Sequence, residues 1–209
     1  MKILLDLAKY EGWEDEPFAA CENPDVPYAK WVVSVLLEKP KKVLDVGCGT
    51  GVHTKWFNEN GMECYGITIN NDEIFKKVDD HIRFGSMCSI PFSDNMFDLV
   101  FCLGSLEHTC FPYLALTEFN RVLKVGGYLF LDMPGLENFH VINEEYWYHK
   151  MILFPIQVKD LMLKTNFDLI DGKWEEEVIH NPADGTAVVY HARSMGIYLG
   201  KKKGSIWLK

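Results

Sequence analysis

Short runs of β-branched and apolar residues alternate with amphipathic stretches along most of the 209-residue chain. The apolar runs have few polar residues at alternate positions, which predicts strands that are covered by helices on both faces. Because strands and helices alternate, we expect an α/β protein with a mostly parallel sheet. The pattern predicts strands at residues 43–46, 63–69, 81–85, 128–133 and 167–174, a turn and strand at 94–103, and helices at 28–38, 52–60, 71–78, 113–123 and 155–164.

Two parts of the chain depart from this alternation of strands and helices. Residues 11–27 form an acidic segment that contains Trp13 and Phe18, and residues 134–154 hold a second group of aromatic and histidine residues. We expect the first segment to form a packed cover. The second is too rich in aromatic residues to be only a connecting loop. Two strand-like pieces, residues 187–190 and 197–199, follow in the C-terminal part of the chain.

The first predicted strand ends at a glycine-rich turn, residues 47–51, which leads directly into a predicted helix. Glycines allow a sharp turn and leave backbone amides open to a ligand, and a helix N-terminus adds partial positive charge. The dinucleotide fingerprint Gly-x-Gly-x-x-Gly would need glycine at position 52, where Val52 stands. This spacing argues against a nicotinamide cofactor, and a glycine-rich turn without any ligand is a further alternative.

The stretch Asp45-Val-Gly-Cys-Gly-Thr-Gly51 resembles motif I of the class I S-adenosylmethionine-dependent methyltransferases. The resemblance implies S-adenosylmethionine as the cofactor and S-adenosylhomocysteine as its product. It also implies that Asp45 and the turn surround the methionine half of the cofactor. The turn residues concerned are Gly47, Cys48, Gly49 and Gly51.

The predicted ribose and adenine contacts depart from the family pattern. Thr68 stands at the end of the second strand, where an acidic residue normally binds the ribose. The stretch from Gly85 to Phe92 resembles the family's adenine-binding segment, but Ser86 replaces the acid that usually accepts the adenine amino group. We expect Asn70 or Asp72 to supply an alternative acceptor for the ribose and Met87 to offer an apolar edge and an amide to the adenine.

Residues 97–125 contain Phe-Asp-Leu-Val, Leu-Glu-His and Arg-Val-Leu-Lys and are similar to the small-molecule and quinone-type methyltransferases. Nucleic-acid amino methylases instead have a Pro-Pro-Tyr type motif after the fourth strand, and residues 103–108 contain none. The resemblance therefore implies a small-molecule acceptor and no nucleic-acid substrate. It also implies that Leu103 lies beside the cofactor at the end of the fourth strand.

His108 and Glu107 are the candidate catalytic residues, because they follow the fourth strand at the edge where ligands collect in open parallel sheets. Imidazole titrates near neutral pH, so His108 can accept a proton from the methyl acceptor. Its neighbour Glu107 is either solvated or faces the substrate. The alternative role for His108 is to fix the loop by hydrogen bonding, and an acceptor that is already nucleophilic needs no base.

The aromatic insertion at residues 134–154 follows the fifth strand and therefore begins at the same edge of the sheet. We predict that part of it forms, with Trp13 or Phe18, a movable wall over the acceptor. A hydrophobic cluster beneath a long loop is the alternative. The predicted acceptor contacts are Tyr146, Trp147, Tyr148 and His149.

Composition supports one globular enzyme domain. The chain is 48% hydrophobic and 24% charged, and it has no uncharged apolar run of the roughly 18 residues that a membrane span needs. A net charge of −9 argues against a nucleic-acid partner. The six cysteines form no Cys-x-x-Cys pair, which favours reduced thiols in a cytoplasmic protein, and no second ligand pair accompanies His108 and Cys110 to suggest a metal site.

We therefore predict a Rossmann-like three-layer α/β/α sandwich with a seven-stranded, mostly parallel sheet, and the resemblance implies an antiparallel last strand. We expect one methyltransferase domain over residues 1–209, divided into an N-terminal cover and helix at 1–40, a cofactor-binding half at 41–133, and a substrate-side insertion with C-terminal strands at 134–209. The predicted function is methyl transfer from S-adenosylmethionine to a small molecule. A cofactor-binding module without methyl transfer and a nicotinamide-dependent oxidoreductase are the alternatives, and no pattern indicates an oligomeric state.

Overall fold

The structure is a computed structural model that describes residues 26–71, 77, 79–134, 150–151, 153–175, 179–180, 187–188 and 195–203. The cover residues Trp13 and Phe18, most of the predicted helix at 71–78 and most of the aromatic insertion lie outside these ranges. The helices are Pro27–Val35 (α1), Val52–Glu59 (α2), Pro112–Val122 (α3) and Pro155–Lys164 (α4), with a 3-10 turn at Leu106–His108. The strands are Lys42–Val46 (β1), Glu63–Thr68 (β2), Ile82–Phe84 (β3), Phe97–Leu103 (β4), Leu123–Pro134 (β5), Phe167–Glu175 (β6), Ile179–His180 (β7), Ala187–Val188 (β8) and Met195–Lys202 (β9).

Seven of these strands form one sheet in the order β3-β2-β1-β4-β5-β9-β6. Neighbouring strands from β3 to β5 are parallel, whereas β9 is antiparallel to both β5 and β6. The predicted seven-stranded, mostly parallel sheet with an antiparallel last strand is therefore confirmed. The carboxyl ends of the first five strands meet along one side of the sheet, which we call the carboxyl edge, and the opposite side is the amino edge.

Helices cover both faces of the sheet, and strand residues alternate between the two cores. Leu44 and Val100 belong to the core that contains residues of α3 and α4, whereas Val43 and Leu99 belong to the core beneath α1 and α2. Both faces are apolar because both are covered, which explains the nearly continuous apolar runs in the strand sequences. The three-layer α/β/α architecture follows from this arrangement.

Several element bounds differ from the sequence-based expectation. Helix α1 ends at Val35 instead of residue 38, because Leu36 adopts an extended backbone with φ −74° and ψ 142°. Val35, the last residue of this helix, is 46% exposed. Strand β5 begins at Leu123 and not at residue 128, with an irregularity in its pairing to β4 where Gly126 has a φ of +79°.

Lys202 joins the inserted strand β9 to the end of helix α3. Its ammonium group donates to the backbone carbonyls of Asn120 (2.7 Å) and Leu123 (2.8 Å) and to the side chain of Asn95 (3.0 Å). Only 5% of the residue is exposed, and burial lowers the pKa of its side chain. The cation satisfies carbonyls that the end of α3 would otherwise leave without partners.

We predict that Lys202→Met destabilises the protein by about 2 to 4 kcal/mol, because buried carbonyls lose their donor. The thermal midpoint should fall by roughly 5 to 15 °C in a calorimetric scan. Lys203→Met is the matched control, since Lys203 is exposed and forms a surface ion pair with Asp168 (2.8 Å). The control should lose about 1 kcal/mol or less. Equal losses in the two variants would show that the Lys202 bonds do not stabilise the fold.

Candidate functional site

The predicted glycine turn stands at the carboxyl edge, between β1 and α2. The amides of Gly47 and Cys48 both donate to the carbonyl of Ile67 at the end of β2, at 2.9 and 3.0 Å. Gly47, Gly49 and Gly51 have φ values of +69°, +56° and +94°, a region that other residues rarely adopt. The turn is therefore a fixed backbone structure that only glycines accommodate without strain.

At two of the three positions, glycine makes room for the protein itself. A Cβ on Gly47 would lie 2.2 Å from the Ser105 hydroxyl oxygen, and a Cβ on Gly51 would lie 1.8 Å from the Ile82 side chain. Both glycines are therefore also required by packing, because the space that their side chains would take is occupied by β3 and by the loop after β4. These contacts still shape the turn on which we expect a ligand.

Asp45 lies buried in β1 just before the turn. Its Oδ2 accepts a hydrogen bond from the Thr54 hydroxyl of α2 at 2.8 Å. Burial raises the pKa of Asp45 to about 7, although the hydrogen bonds from Thr54 oppose this effect. The carboxyl is therefore only partly ionised near neutral pH, and a cation bound beside the turn would lower its pKa and favour the charged form.

Thr68 ends β2 and Ser86 follows β3, and the two strand ends are joined where the Gly85 amide donates to the Thr68 carbonyl at 2.9 Å. Both are buried, and both hydroxyls accept a backbone N–H two residues further on, from Asn70 (3.2 Å) and from Cys88 (3.1 Å). Met87, between Ser86 and Cys88, is half-buried and packs against the core. The strand order thus places the four predicted ribose and adenine contacts after β2 and β3, at the same edge of the sheet as the glycine turn.

We predict that Thr68→Asp tightens binding of S-adenosylhomocysteine about fivefold, since a carboxylate bonds to hydroxyl groups more strongly than a hydroxyl does. Thr68→Asn is the matched control, because it has the same shape and carries no charge. Isothermal titration calorimetry on the two variants measures the effect. Weaker binding by Thr68→Asp than by Thr68→Asn would place the ribose elsewhere.

The loop after β4 is joined directly to the glycine turn. The Ser105 hydroxyl lies 3.3 Å from the Gly47 carbonyl and 3.0 Å from the Leu103 carbonyl, with geometry that allows it to donate to either. Leu103 is half-buried at the end of β4. The Gly104 amide donates to the Asp132 carbonyl of β5 at 3.1 Å, so this loop also contacts the strand on the other side.

Glu107 is the most unusual titratable residue of this loop. It is 3% exposed, and its Oε2 has no hydrogen-bond partner among the described residues. Its Oε1 lies 3.7 Å from the position that a Cβ on Gly104 would occupy, so the carboxyl folds back toward the end of β4. Burial raises the pKa of Glu107 to about 8, with an additional contribution from the nearby charge of Asp132, which is fully buried. At pH 7 such an acid is largely protonated. Above a pH of about 8 most of it is ionised, and the carboxylate can then accept a proton.

His108, the other predicted catalytic residue, lies in the same 3-10 turn and is buried. It already interacts with a neighbouring group, which agrees with the alternative in which it fixes the loop. Cys110 is exposed, and the described residues contain no cluster of three or more potential metal ligands. Of the two predicted catalytic residues, Glu107 is therefore the one whose side chain has an oxygen without a hydrogen-bond partner among the described residues.

The four predicted acceptor contacts, residues 146–149, lie outside the described part of the chain. The structure does describe both ends of the segment that contains them. Pro134 ends β5 at the carboxyl edge, and the amides of Lys150 and Met151 donate to the Glu107 carbonyl at 2.9 and 3.1 Å. The chain thus leaves the described structure at the carboxyl edge and re-enters it next to Glu107.

Comparison with known proteins agrees with this geometry. The sequence profile of the Methyltransferase domain family matches residues 44–131, which contain the turn, Thr68, Ser86 and Glu107. An uncharacterized protein of Methanocaldococcus jannaschii is 34% identical over 77% of this chain and 73% of its own. An uncharacterized methyltransferase of Schizosaccharomyces pombe is 30% identical over 70% of this chain and 61% of its own. The chain belongs to the class I S-adenosylmethionine-dependent methyltransferases.

The fold of this methyltransferase is also found in solved structures. A S-adenosylmethionine-dependent methyltransferase from Methanosarcina mazei superimposes with a TM-score of 0.62, at 17% identity, over 83% of this chain and 98% of its own. This chain spans less than two thirds of the length of the Schizosaccharomyces relative. No helix among the residues described here has the length and apolarity that crossing a membrane requires.

The residues of this methyltransferase fit the cofactor that its family uses as methyl donor. S-adenosylmethionine is a cation that carries hydroxyl groups and an adenine ring, and the carboxyl edge offers a buried, partly ionised Asp45 beside a glycine turn. A second buried carboxyl, that of Glu107, has an oxygen without a partner within the described ranges. Both acids favour a cationic ligand, which agrees with the predicted class of cofactor.

Sequence patterns did not point to several residues that shape this site. Thr54 of α2 contacts Asp45 of β1, and Ser105 of the loop after β4 contacts the glycine turn. Asp132 of β5 raises the pKa of Glu107, so each of these interactions joins two separate elements. His53, whose ring lies 5.3 Å from that of Phe101, has a buried Nε2 without a partner in the described structure. The available signal for His53 and Thr54 was their position, because they are polar residues on the first turn of α2, two and three positions after the last glycine of the turn.

Proposed function

We propose that this methyltransferase transfers the methyl group of S-adenosylmethionine to an O–H or N–H group of a small molecule, with Glu107 as the general base. The observation that carries the proposal is a buried carboxyl with an unpaired oxygen and a pKa of about 8, beside the glycine turn. A base whose pKa lies near the working pH combines ionisation with the ability to accept a proton. His108 then has a supporting role in the loop.

The proposed cofactor contacts follow the carboxyl edge from strand to strand. The glycine turn with Asp45 and Cys48 binds the methionine half, together with Leu103 from the end of β4. Thr68 and Asn70 lie beside the ribose, and Ser86 and Met87 beside the adenine. Two hydrogen bonds support this assignment. Gly85 bonds to Thr68 and Ser105 bonds to Gly47, so the end of β2 is joined to the segment after β3, and the glycine turn is joined to the loop after β4.

When bound, S-adenosylmethionine supplies an electrophilic methyl group on a sulfonium and leaves as neutral S-adenosylhomocysteine. Glu107 accepts the proton of the acceptor O–H or N–H as that group becomes the nucleophile. Asp45 lies in β1 just before the turn and favours a bound cation. Orientation of the two reactants on one edge can lower the barrier by several kcal/mol, roughly 7 to 11 kcal/mol in the best cases.

The acceptor is proposed to bind beside Glu107, against residues 146–149 of the insertion. The bonds from Lys150 and Met151 to Glu107 support this placement, because they bring the end of that segment to the loop. The ubiquinone biosynthesis O-methyltransferase of Dechloromonas aromatica (28% identity over 129 residues) and the norajmaline N-methyltransferase of Rauvolfia serpentina (30% over 102 residues) are relatives named for small-molecule substrates. A net charge of −9 favours such acceptors over nucleic acids.

The remaining expectations are part of the same proposal. We propose one domain over residues 1–209, because the seven-stranded sheet takes strands from residue 42 to residue 202. The five cysteines in the described ranges are free thiols, which supports a reducing compartment such as the cytoplasm. A cofactor-binding module without methyl transfer stays the alternative, favoured by the absence of acids at Thr68 and Ser86.

Incubation with methyl-labelled S-adenosylmethionine and a panel of phenols, catechols and amines, followed by mass spectrometry, tests the proposal. We expect label on one class of acceptor and stoichiometric S-adenosylhomocysteine. Cofactor binding without label on any acceptor would favour the binding module. Failure to bind S-adenosylmethionine would overturn the proposal as a whole.

A further inference from the structure

Arg121 of helix α3 uses all five of its guanidinium donors, and every acceptor lies within hydrogen-bond distance. Nε and Nη2 donate to the two oxygens of Glu118 at 2.7 and 2.8 Å, a bidentate pair within one helix. The remaining donors leave the helix. They reach the carbonyls of Ile90 (2.9 Å) and Phe92 (2.8 Å) and the carboxylate of Asp94 (2.7 Å).

All three of these outer acceptors belong to the connection between β3 and β4. Glu118 adds a bond of its own, because its Oε2 accepts the Ile90 N–H at 2.8 Å. Both backbone polar groups of Ile90 are therefore held by the Glu118–Arg121 pair. The same connection contains Ser86 and Met87, which lie four and three residues before Ile90.

The turn that contains Ser86 and Met87 is held at its two ends by different elements. Gly85 is bonded to the Thr68 carbonyl of β2, and Ile90 is bonded to the Glu118–Arg121 pair of α3. Within the turn, Ser89 donates its amide to the Ser86 carbonyl at 3.1 Å. The position of the turn along the carboxyl edge therefore depends on how firmly α3 holds Ile90.

We propose that Arg121 and Glu118 are positioning residues for the adenine end of the cofactor, acting through the turn at residues 86–89. This inference rests on the proposed function, since it takes Ser86 and Met87 as adenine neighbours. A planar guanidinium fixes several acceptors in one geometry, which a lysine ammonium cannot reproduce. Arg121→Lys therefore keeps the charge and loses the fixed spacing between Glu118, Ile90 and Phe92.

The test compares Arg121→Lys with Lys124→Met. Lys124 lies in β5, just after the end of α3, and forms an ion pair with Asp98 of β4 (2.6 Å) at the amino edge, so its loss removes a charged contact near Arg121 in sequence but away from the turn. We expect Arg121→Lys to raise the Kd for S-adenosylhomocysteine and the KM for S-adenosylmethionine about tenfold while kcat changes less than twofold. Lys124→Met should leave all three values within twofold of the wild type.

Glu118→Gln is the second variant and keeps the test decisive if Arg121→Lys does not fold. It should raise the same Kd and KM in the same direction, because the glutamine cannot accept from both Arg121 and Ile90 as strongly. Folded variants that bind S-adenosylhomocysteine like the wild type would overturn the positioning role alone. A wild-type protein that does not bind S-adenosylhomocysteine would instead overturn the proposed function.

Discussion

Replacement of Gly49 by valine is expected to weaken binding of S-adenosylhomocysteine at least a hundredfold, equivalent to about 2.7 kcal/mol. Gly49 has a φ of +56°, which a β-branched residue does not adopt without severe strain. The turn must therefore change its backbone at the point where the cofactor's methionine half is proposed to bind. Titration calorimetry at a temperature where the variant is folded measures the loss.

Gly126→Val is the matched control for this substitution. Gly126 has a φ of +79° and lies near the start of β5, at the amino edge. A Cβ there would have its nearest contact at 3.7 Å from the flexible Lys201 side chain, so the cost of about 1 to 2 kcal/mol is mainly backbone strain. The control should be destabilised and still bind with wild-type affinity. An equal loss of affinity in both variants would mean that strain, and not the position of the turn, causes it.

Glu107→Gln is expected to lower kcat by about a hundredfold to ten-thousandfold, the range observed when a general base is removed. Binding of S-adenosylhomocysteine should change little, because the amide has nearly the same shape. Wild-type turnover should rise with pH and level off above pH 8, since the raised pKa of about 8 leaves only about a tenth of Glu107 ionised at pH 7. This rise should be absent from the pH profile of Glu107→Gln.

Two further variants test whether the pH dependence comes from Glu107 or from a neighbouring residue. Asp132→Asn removes a charge that raises the pKa of Glu107, so the midpoint of the pH profile should move to lower pH. His108→Asn should keep the wild-type midpoint. If His108 were the base, its replacement would abolish the pH dependence, and Glu107→Gln would retain it.

The order of strands and helices could be predicted because each element has its own periodicity. Helix α4 has the predicted bounds, Pro155–Lys164, since a proline at its start and an apolar stripe define it locally. Helix α1 was predicted too long because Val35 and Leu36 continue the apolar pattern, although Leu36 is extended and Val35 is exposed. Local patterns thus predict that an element exists more reliably than where it ends.

The candidate site could be predicted only where a motif is continuous in the sequence. The glycine turn and Glu107 were identified in this way, but the raised pKa of Glu107 comes from its burial and from the charge of Asp132 in β5. Lys202 reaches carbonyl groups 79 and 82 residues away, and Arg121 reaches loop carbonyls 29 and 31 residues away. No periodicity in the sequence carries information about such partners, because the fold alone brings them together.

A crystal structure of the complex with S-adenosylhomocysteine would show where the cofactor binds. We predict the methionine half of the ligand at the turn formed by residues 47–51, with the ribose beside Thr68 and the adenine beside Met87. The sulfur should face the loop that contains Glu107. A ligand bound anywhere other than the carboxyl edge of β1, β2 and β4, or a turn that remains free at saturating ligand, would contradict the account.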